Sequence, residues 1–282
     1  MTQTLICHLL LGEDGRGLLA MKKTLSIIIL SLMAYCAYAQ NLYIGSYYVT
    51  SSDEEKTYGD GNDKWTKRLP IICDMLNFEQ PDVMGLQSLT SNQLDQVLKR
   101  MTSYSVTGDI LYNKSLELDS CGTVSDMPEG STCSWAKLQK EGKVFYVFNI
   151  CFSTEASVAQ LSATRVRNAV GEINPGNLPC FIVGFLGVNE SKTPYSRIVA
   201  KFNDCYTKAP VVSAEYGTVN NFDLAANHGT ERFDFVFASK NVTVKAYGQL
   251  QYAYYTQESD GTYKRRLPST HFPVMAKVTL SK

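Results

Sequence analysis

The chain has 282 residues, with 27 Lys and Arg against 27 Asp and Glu, no net formal charge and a hydrophobic fraction of 44%. That balance excludes a polybasic surface for nucleic acid or anionic membrane, and it excludes a disordered polyelectrolyte. It is ordinary for a folded globular protein.

Residues 21–39, "MKKTLSIIILSLMAYCAYA", place two lysines ahead of an apolar stretch too short to span a bilayer, with Ala37 and Ala39 before Gln40. The pattern predicts a signal peptide over 21–39, and so export to the periplasm or extracellular space with no membrane span left after cleavage. Residues 1–20 do not belong ahead of such a signal and read as an upstream extension from a start assigned too early. Cys36 does not make a lipoprotein signal, because the bulky Tyr35 precedes it.

One domain is expected over 40–282. The leader carries three basic and two acidic residues, which leaves this domain a net charge of −1. There is therefore no electrostatic case for nucleic acid as a partner, and the cluster Lys264-Arg265-Arg266 reads as solvated loop. Six cysteines remain, at 73, 121, 133, 151, 180 and 205; Cys121 and Cys133 flank a predicted hairpin loop and are the expected disulfide. With no CxxC motif, and only His228 and His271 left among histidines, a structural zinc site is not expected.

In chain order, β-type runs are read at "LYIGSYYV", "DVMGLQSL", "SVTGDILYN", "SWAKLQ", "KVFYVFNICF", "CFIVGF", "RFDFVFAS", "VTVKAYGQL" and "PVMAKVTL". Three helical patterns interrupt them. In "DKWTKRLPIICDMLNFEQ" the apolar residues recur at helical spacing and Pro70 predicts that the helix starts near it. "SNQLDQVLKRM" opens on a cap-like Ser91, and "TEASVAQLSATRVRNAVGEI" is the third. Many strands with few helices predict an α+β protein, a β-sandwich with helices on both sides.

With these elements placed, the chain resembles the endonuclease/exonuclease/phosphatase family, the metal-dependent phosphoesterases that include DNase I-like nucleases. Seven pieces occur in the family's order: "WTKR" (Trp65, Arg68), "PDVMGLQS", "FNICFS", "VGFLG", "GTVNNF", "RFDFVFAS" and "PSTHFPV". The resemblance implies a four-layered α/β/β/α sandwich of two largely antiparallel sheets. It also implies a site for in-line attack of water on a phosphoester, assisted by a divalent ion on hard oxygen ligands.

The departures fall on that site. The family's metal-binding Glu falls at Ser88, and the Asn at the end of the first strand falls at Tyr48. The Asp and Asn of G-D-F-N fall at Phe185 and Gly187. The His of N-T-H falls at Cys151, the Asp after it at Ser153, and the Asp of S-D-H at Thr270. Only Asp234 and His271 match. The expectation is a catalytically lapsed, exported binding module with no cofactor, taking an unidentified ligand or protein at the former active-site pocket. One alternative is an atypical phosphodiesterase or phosphatase using Mg²⁺ or Mn²⁺, and another is a hydrolase with Cys151 as nucleophile.

Two readings stand for Asp234 and His271: a surviving catalytic dyad, or a polar pair that locks two strand ends. Two also stand for Tyr47, Tyr48, Tyr216, Tyr252, Tyr254 and Tyr255, which either line the pocket or pack on strand faces.

Overall fold

Strand alternation sets the layers in the computed structural model, which describes residues 40–214, 217–223 and 229–280. The expected leader, Tyr216 and His228 lie outside the described residues. One sheet runs in the order β10 (Val212–Ser213), β12 (Val242–Gln249), β15 (Val274–Leu280), β1 (Gln40–Tyr48), β2 (Val83–Gln87), β4 (Ile110–Asn113) and β3 (Tyr104–Thr107). The other runs β5 (Glu117–Thr123), β6 (Thr132–Lys140), β7 (Lys143–Cys151), β8 (Cys180–Phe185), β11 (Asp234–Ser239) and β9 (Phe202–Asp204). A separate hairpin joins β13 (Tyr254–Gln257) to β14 (Tyr263–Arg266). Parallel pairing occurs at β1–β2, β7–β8 and β10–β12, and the other pairs are antiparallel.

Along β8, Phe181 and Val183 enter the core between the sheets, beside Leu42, Ile44, Val83 and Val236. Cys180 and Ile182 turn to the opposite face and meet Ala159, Ala163 and Val166 of a helix, α4 (Ala156–Ile173). On the first sheet, Met84 and Leu86 pack against Ile72 and Leu76 of α2 (Trp65–Glu79) and Val97 of α3 (Ser91–Arg100). Period-2 alternation gives central strands such as β2 and β8 two buried faces, so four layers result: helices, sheet, sheet, helices. Three shorter helices complete the described residues: α1 (Glu55–Tyr58), α5 (Thr193–Val199) and α6 (Cys205–Lys208). Among the described residues no helix is long and apolar enough to cross a membrane.

Four expectations need correction. Helix α2 starts at Trp65 and carries Pro70 inside it. Tertiary anchoring overrides the proline: the buried Arg68 guanidinium donates to the carbonyls of Asp63, Val49, Pro268 and Thr50 and pairs with Glu55, which holds the first turn in place. The cap of α3 is Thr90, not Ser91; its side chain accepts from the Gln93 amide while Gln93 returns a bond to the Thr90 amide, a capping box.

Cys121 and Cys133 are not paired, and all six described cysteines are free. In the β5–β6 ladder Cys121 stands opposite Ala136, three residues from Cys133, about 10 Å along the strand and beyond disulfide reach. Cys121 is also exposed while Cys133 is buried. Finally, Lys264-Arg265-Arg266 lies on β14, and Arg266 is buried in ion pairs with Asp60, Asp63 and Glu258. Strand β5 was not expected because its residues are nearly all exposed, so it lacks the apolar run that marks a core strand.

Candidate functional site

Three adjacent strands of the second sheet bring Cys151, Phe185 and Asp234 into one row. Cys151 at the end of β7 pairs with Phe185 at the end of β8, and Phe185 pairs with Asp234 at the start of β11. Asp234 Oδ2 lies 2.8 Å from His271 Nδ1, with both side chains buried. From the first sheet, Tyr48 at the end of β1 stacks on the imidazole, ring centroids 4.2 Å apart and planes at 20°. Phe185 meets the same imidazole edge-on at 5.4 Å and Tyr48 at 5.1 Å. Three rings therefore form the wall where the ends of the two sheets meet.

Beside this wall lies a cavity of about 530 Å³, lined among others by Tyr48, Glu54, Tyr58, Phe185, Thr270 and His271. Its size suits a small ligand. A larger cavity, of about 760 Å³, lies at the opposite end of β8, around Cys180, Lys201 and Lys240, away from all of these residues.

Glu54 was not anticipated from the sequence. It precedes α1, and its carboxylate accepts hydrogen bonds from the Tyr48 and Ser88 hydroxyls and from the amide and hydroxyl of Ser51. Burial pushes the Glu54 carboxyl up, but the donors Ser88, Tyr48 and Ser51 outweigh it and hold the group below its usual range. The available signal was the acidic run Asp53-Glu54-Glu55 just past the tip of β1. Nothing local distinguishes Glu54 from Asp53, which pairs with the exposed Lys56, or from Glu55, which pairs with Arg68.

The backbone around the site is in unusual conformations. Thr50 has φ +62° and Ser88 φ +60°, in the left-handed region that a β-branched residue such as Thr rarely enters. Thr50 is held there: its hydroxyl lies 2.7 Å from that of Ser269 and 2.6 Å from that of Thr270, it accepts the Thr270 amide, and its carbonyl receives Arg68. Gly187 has φ +77°, and a Cβ there would lie 2.0 Å from the Ser153 carbonyl oxygen. No side chain fits at that position without moving the backbone.

The structure gathers most of the expected site residues. Tyr48, Phe185, Gly187, Thr270 and His271 line the cavity, Asp234 stands behind His271, and Ser88 joins through Glu54. Cys151 and Ser153 do not line it. Burial pushes the Cys151 thiol up to about 12, and the nearby Asp109, Asp234 and Glu54 add to the shift, so no thiolate forms near neutral pH. Of the described tyrosines singled out, only Tyr48 lines the cavity. Tyr47 and Tyr254 are buried elsewhere, Tyr252 donates to Glu79, and Tyr255 is exposed.

A magnesium or manganese ion asks for hard oxygen donors, carboxylates above all. Ser88, Tyr48 and Thr270 offer neutral hydroxyls here. Glu54 is the single carboxylate in the described lining, and Asp234 Oδ2 is engaged by His271. This donor set does not fit a hydrolytic metal centre.

No protein-family model matches the chain, and no curated protein does so significantly. Solved structures do. An endonuclease/exonuclease/phosphatase family protein from Bacteroides thetaiotaomicron is 25% identical, with a TM-score of 0.81 over 86% of this chain and 99% of that one. A mannosyl-6-phosphatase from the same organism is 26% identical, with a TM-score of 0.78 over 84% and 99% of the two chains. An endonuclease/exonuclease/phosphatase from Bacteroides vulgatus, 19% identical, has a TM-score of 0.73 over 86% and 100%.

Proposed function

We propose that this chain, which has the DNase I-like fold of the endonuclease/exonuclease/phosphatase family, a phosphoesterase-type fold, is an exported binding module whose catalytic site has lapsed. The observation that carries the reading is Gly187. A family Asn belongs there, yet the left-handed backbone and the Ser153 carbonyl leave no room for any side chain.

Other features support the same reading. Phe185 fills the place of the nucleophile-orienting Asp and sets a ring edge against His271. The imidazole, packed between Phe185 and Tyr48 and tied to Asp234, serves as part of the pocket wall. Loss of a general acid or base alone costs about 10²- to 10⁴-fold in rate, and loss of the metal removes its Lewis-acid role as well.

The decisive experiment is an assay of p-nitrophenyl phosphate and bis(p-nitrophenyl) phosphate hydrolysis with added Mg²⁺ or Mn²⁺. The expected rate is that of buffer. Turnover that disappears in His271→Ala would establish the alternative, a metal-dependent phosphoesterase of atypical site, whose one supporting observation is the reach of Glu54 to Ser88. Export is tested separately by mass spectrometry of the secreted protein, which should begin at or beside Gln40.

A further inference from the structure

The cleft differs from a phosphoester site in the sign of its charge as well as in its missing groups. A phosphoesterase presents a cation to its substrate. Here the hydroxyls at the two substituted ligand positions, Tyr48 and Ser88, both converge on a carboxylate, Glu54. Its neighbours in the acidic run are neutralised, Asp53 by Lys56 and Glu55 by Arg68, while the described partners of Glu54 are hydroxyl and amide donors. The charge therefore stays in the cavity wall, in a half-buried setting.

The rest of the lining is mostly neutral and aromatic. Tyr58, Phe185, Phe233 and Val188 give apolar area, and Thr154 and Asn221 give uncharged hydrogen-bonding groups. Lys192, the one Lys or Arg in the lining, is itself exposed. A phosphate monoester carries about −1.5 to −2 charges, which guanidinium forks, lysines or a metal offset. This wall sets a single exposed lysine, Lys192, against the Glu54 carboxylate.

We propose that Glu54 reverses the charge selectivity of the cleft, so that its ligand is a neutral sugar held through hydroxyls and ring faces and not a phosphate ester. Glu54 Oε1 accepts from Tyr48 and keeps a lone pair for a sugar hydroxyl. The exposed ring of Tyr58 at the cavity presents an apolar face to the C–H side of a pyranose. The inference rests on reading the cleft as a binding site.

The test compares neutral methyl glycosides of glucose, galactose, mannose and N-acetylglucosamine with the corresponding 6-phosphates, by NMR titration of the protein. At least one neutral glycoside should bind, and its 6-phosphate should bind about tenfold more weakly or worse, as an unscreened like charge requires. Glu54→Gln keeps the shape and removes the charge, and it should bring the ratio to within about threefold. Should that variant not fold, the wild-type ratio must narrow when NaCl rises from about 20 to about 500 mM.

A 6-phosphate that binds as tightly as the neutral sugar, or a ratio unmoved by Glu54→Gln, overturns the reversal and leaves the binding module standing. Failure of every neutral glycoside to bind at about 100 mM, far above ordinary ligand affinities, overturns the sugar assignment. So does tighter binding of glucosamine than of glucose, which would make the ligand a cation. Phosphate release that requires His271 removes the lapsed-site reading together with this one.

Discussion

Tyr48 lies face to face with His271, with 4.2 Å between ring centroids. By the resemblance to the family this tyrosine falls where an asparagine is expected, and its ring stacks on one face of the imidazole. The pair Asp234–His271 is then a buried polar contact between β11 and the segment before β15. Asp234→Asn removes the charged partner of the imidazole and His271→Ala leaves a buried carboxylate unpaired, so each should destabilise the fold by about 1–3 kcal/mol. The double variant should cost less than the sum, which a urea-denaturation cycle reads as non-additivity. Additive losses would mean that the two side chains do not act as a pair.

Restoring the family residue at position 187 should fail. Asn tolerates a left-handed backbone better than most residues, but its Cβ would still meet the Ser153 carbonyl at 2.0 Å. Gly187→Asn is expected to lower stability by more than about 2 kcal/mol, in the range of overpacking combined with backbone strain. A variant as stable as the parent in urea would show that the loop can open to admit a side chain.

Alkaline pH should weaken the fold. Burial pushes the thiols of Cys73 and Cys151 up to about 12, and it raises those of Cys133, Cys180 and Cys205 as well. In the unfolded chain a thiol ionises near pH 8.5, so above about that value the unfolded state binds fewer protons than the folded one. Stability is then fully present below pH ~8.5 and falls as pH rises above it, until the folded pKa of each thiol is passed. Urea midpoints measured at pH 7 and pH 10 should drop, and Cys180→Ala should flatten the dependence. An unchanged midpoint would show that these thiols ionise freely in the fold.

Divalent metal should leave the protein almost untouched. Calorimetric titration with Mg²⁺ or Mn²⁺ is expected to reveal no site tighter than roughly millimolar, the range of the weakest hard-cation sites. EDTA should likewise leave the melting temperature where it was. A tight site abolished by Glu54→Gln or Ser88→Ala would make Glu54 a metal ligand in place of the missing carboxylate.

The sequence by itself determined what depends on near neighbours along the chain. Alternation in Phe181, Ile182 and Val183 assigns each side chain to one face of a strand, whatever that strand pairs with. The order of the motif pieces also carried the four-layered fold, and it placed Asp234 and His271 together, since each piece belongs to a known strand end. Only the tertiary structure decided the rest. Pro70 sits inside a helix because Arg68 reaches the carbonyl of Pro268, 200 positions away. Cys121 and Cys133 part because ladder register, which no local pattern encodes, offsets them by three residues. Glu54 enters the cavity while Asp53 and Glu55 do not, because its partner Ser88 lies 34 residues on, brought alongside by parallel pairing of β1 with β2. The carboxylates of one short acidic run look alike in the sequence; packing over long separations selects which of them faces the cavity.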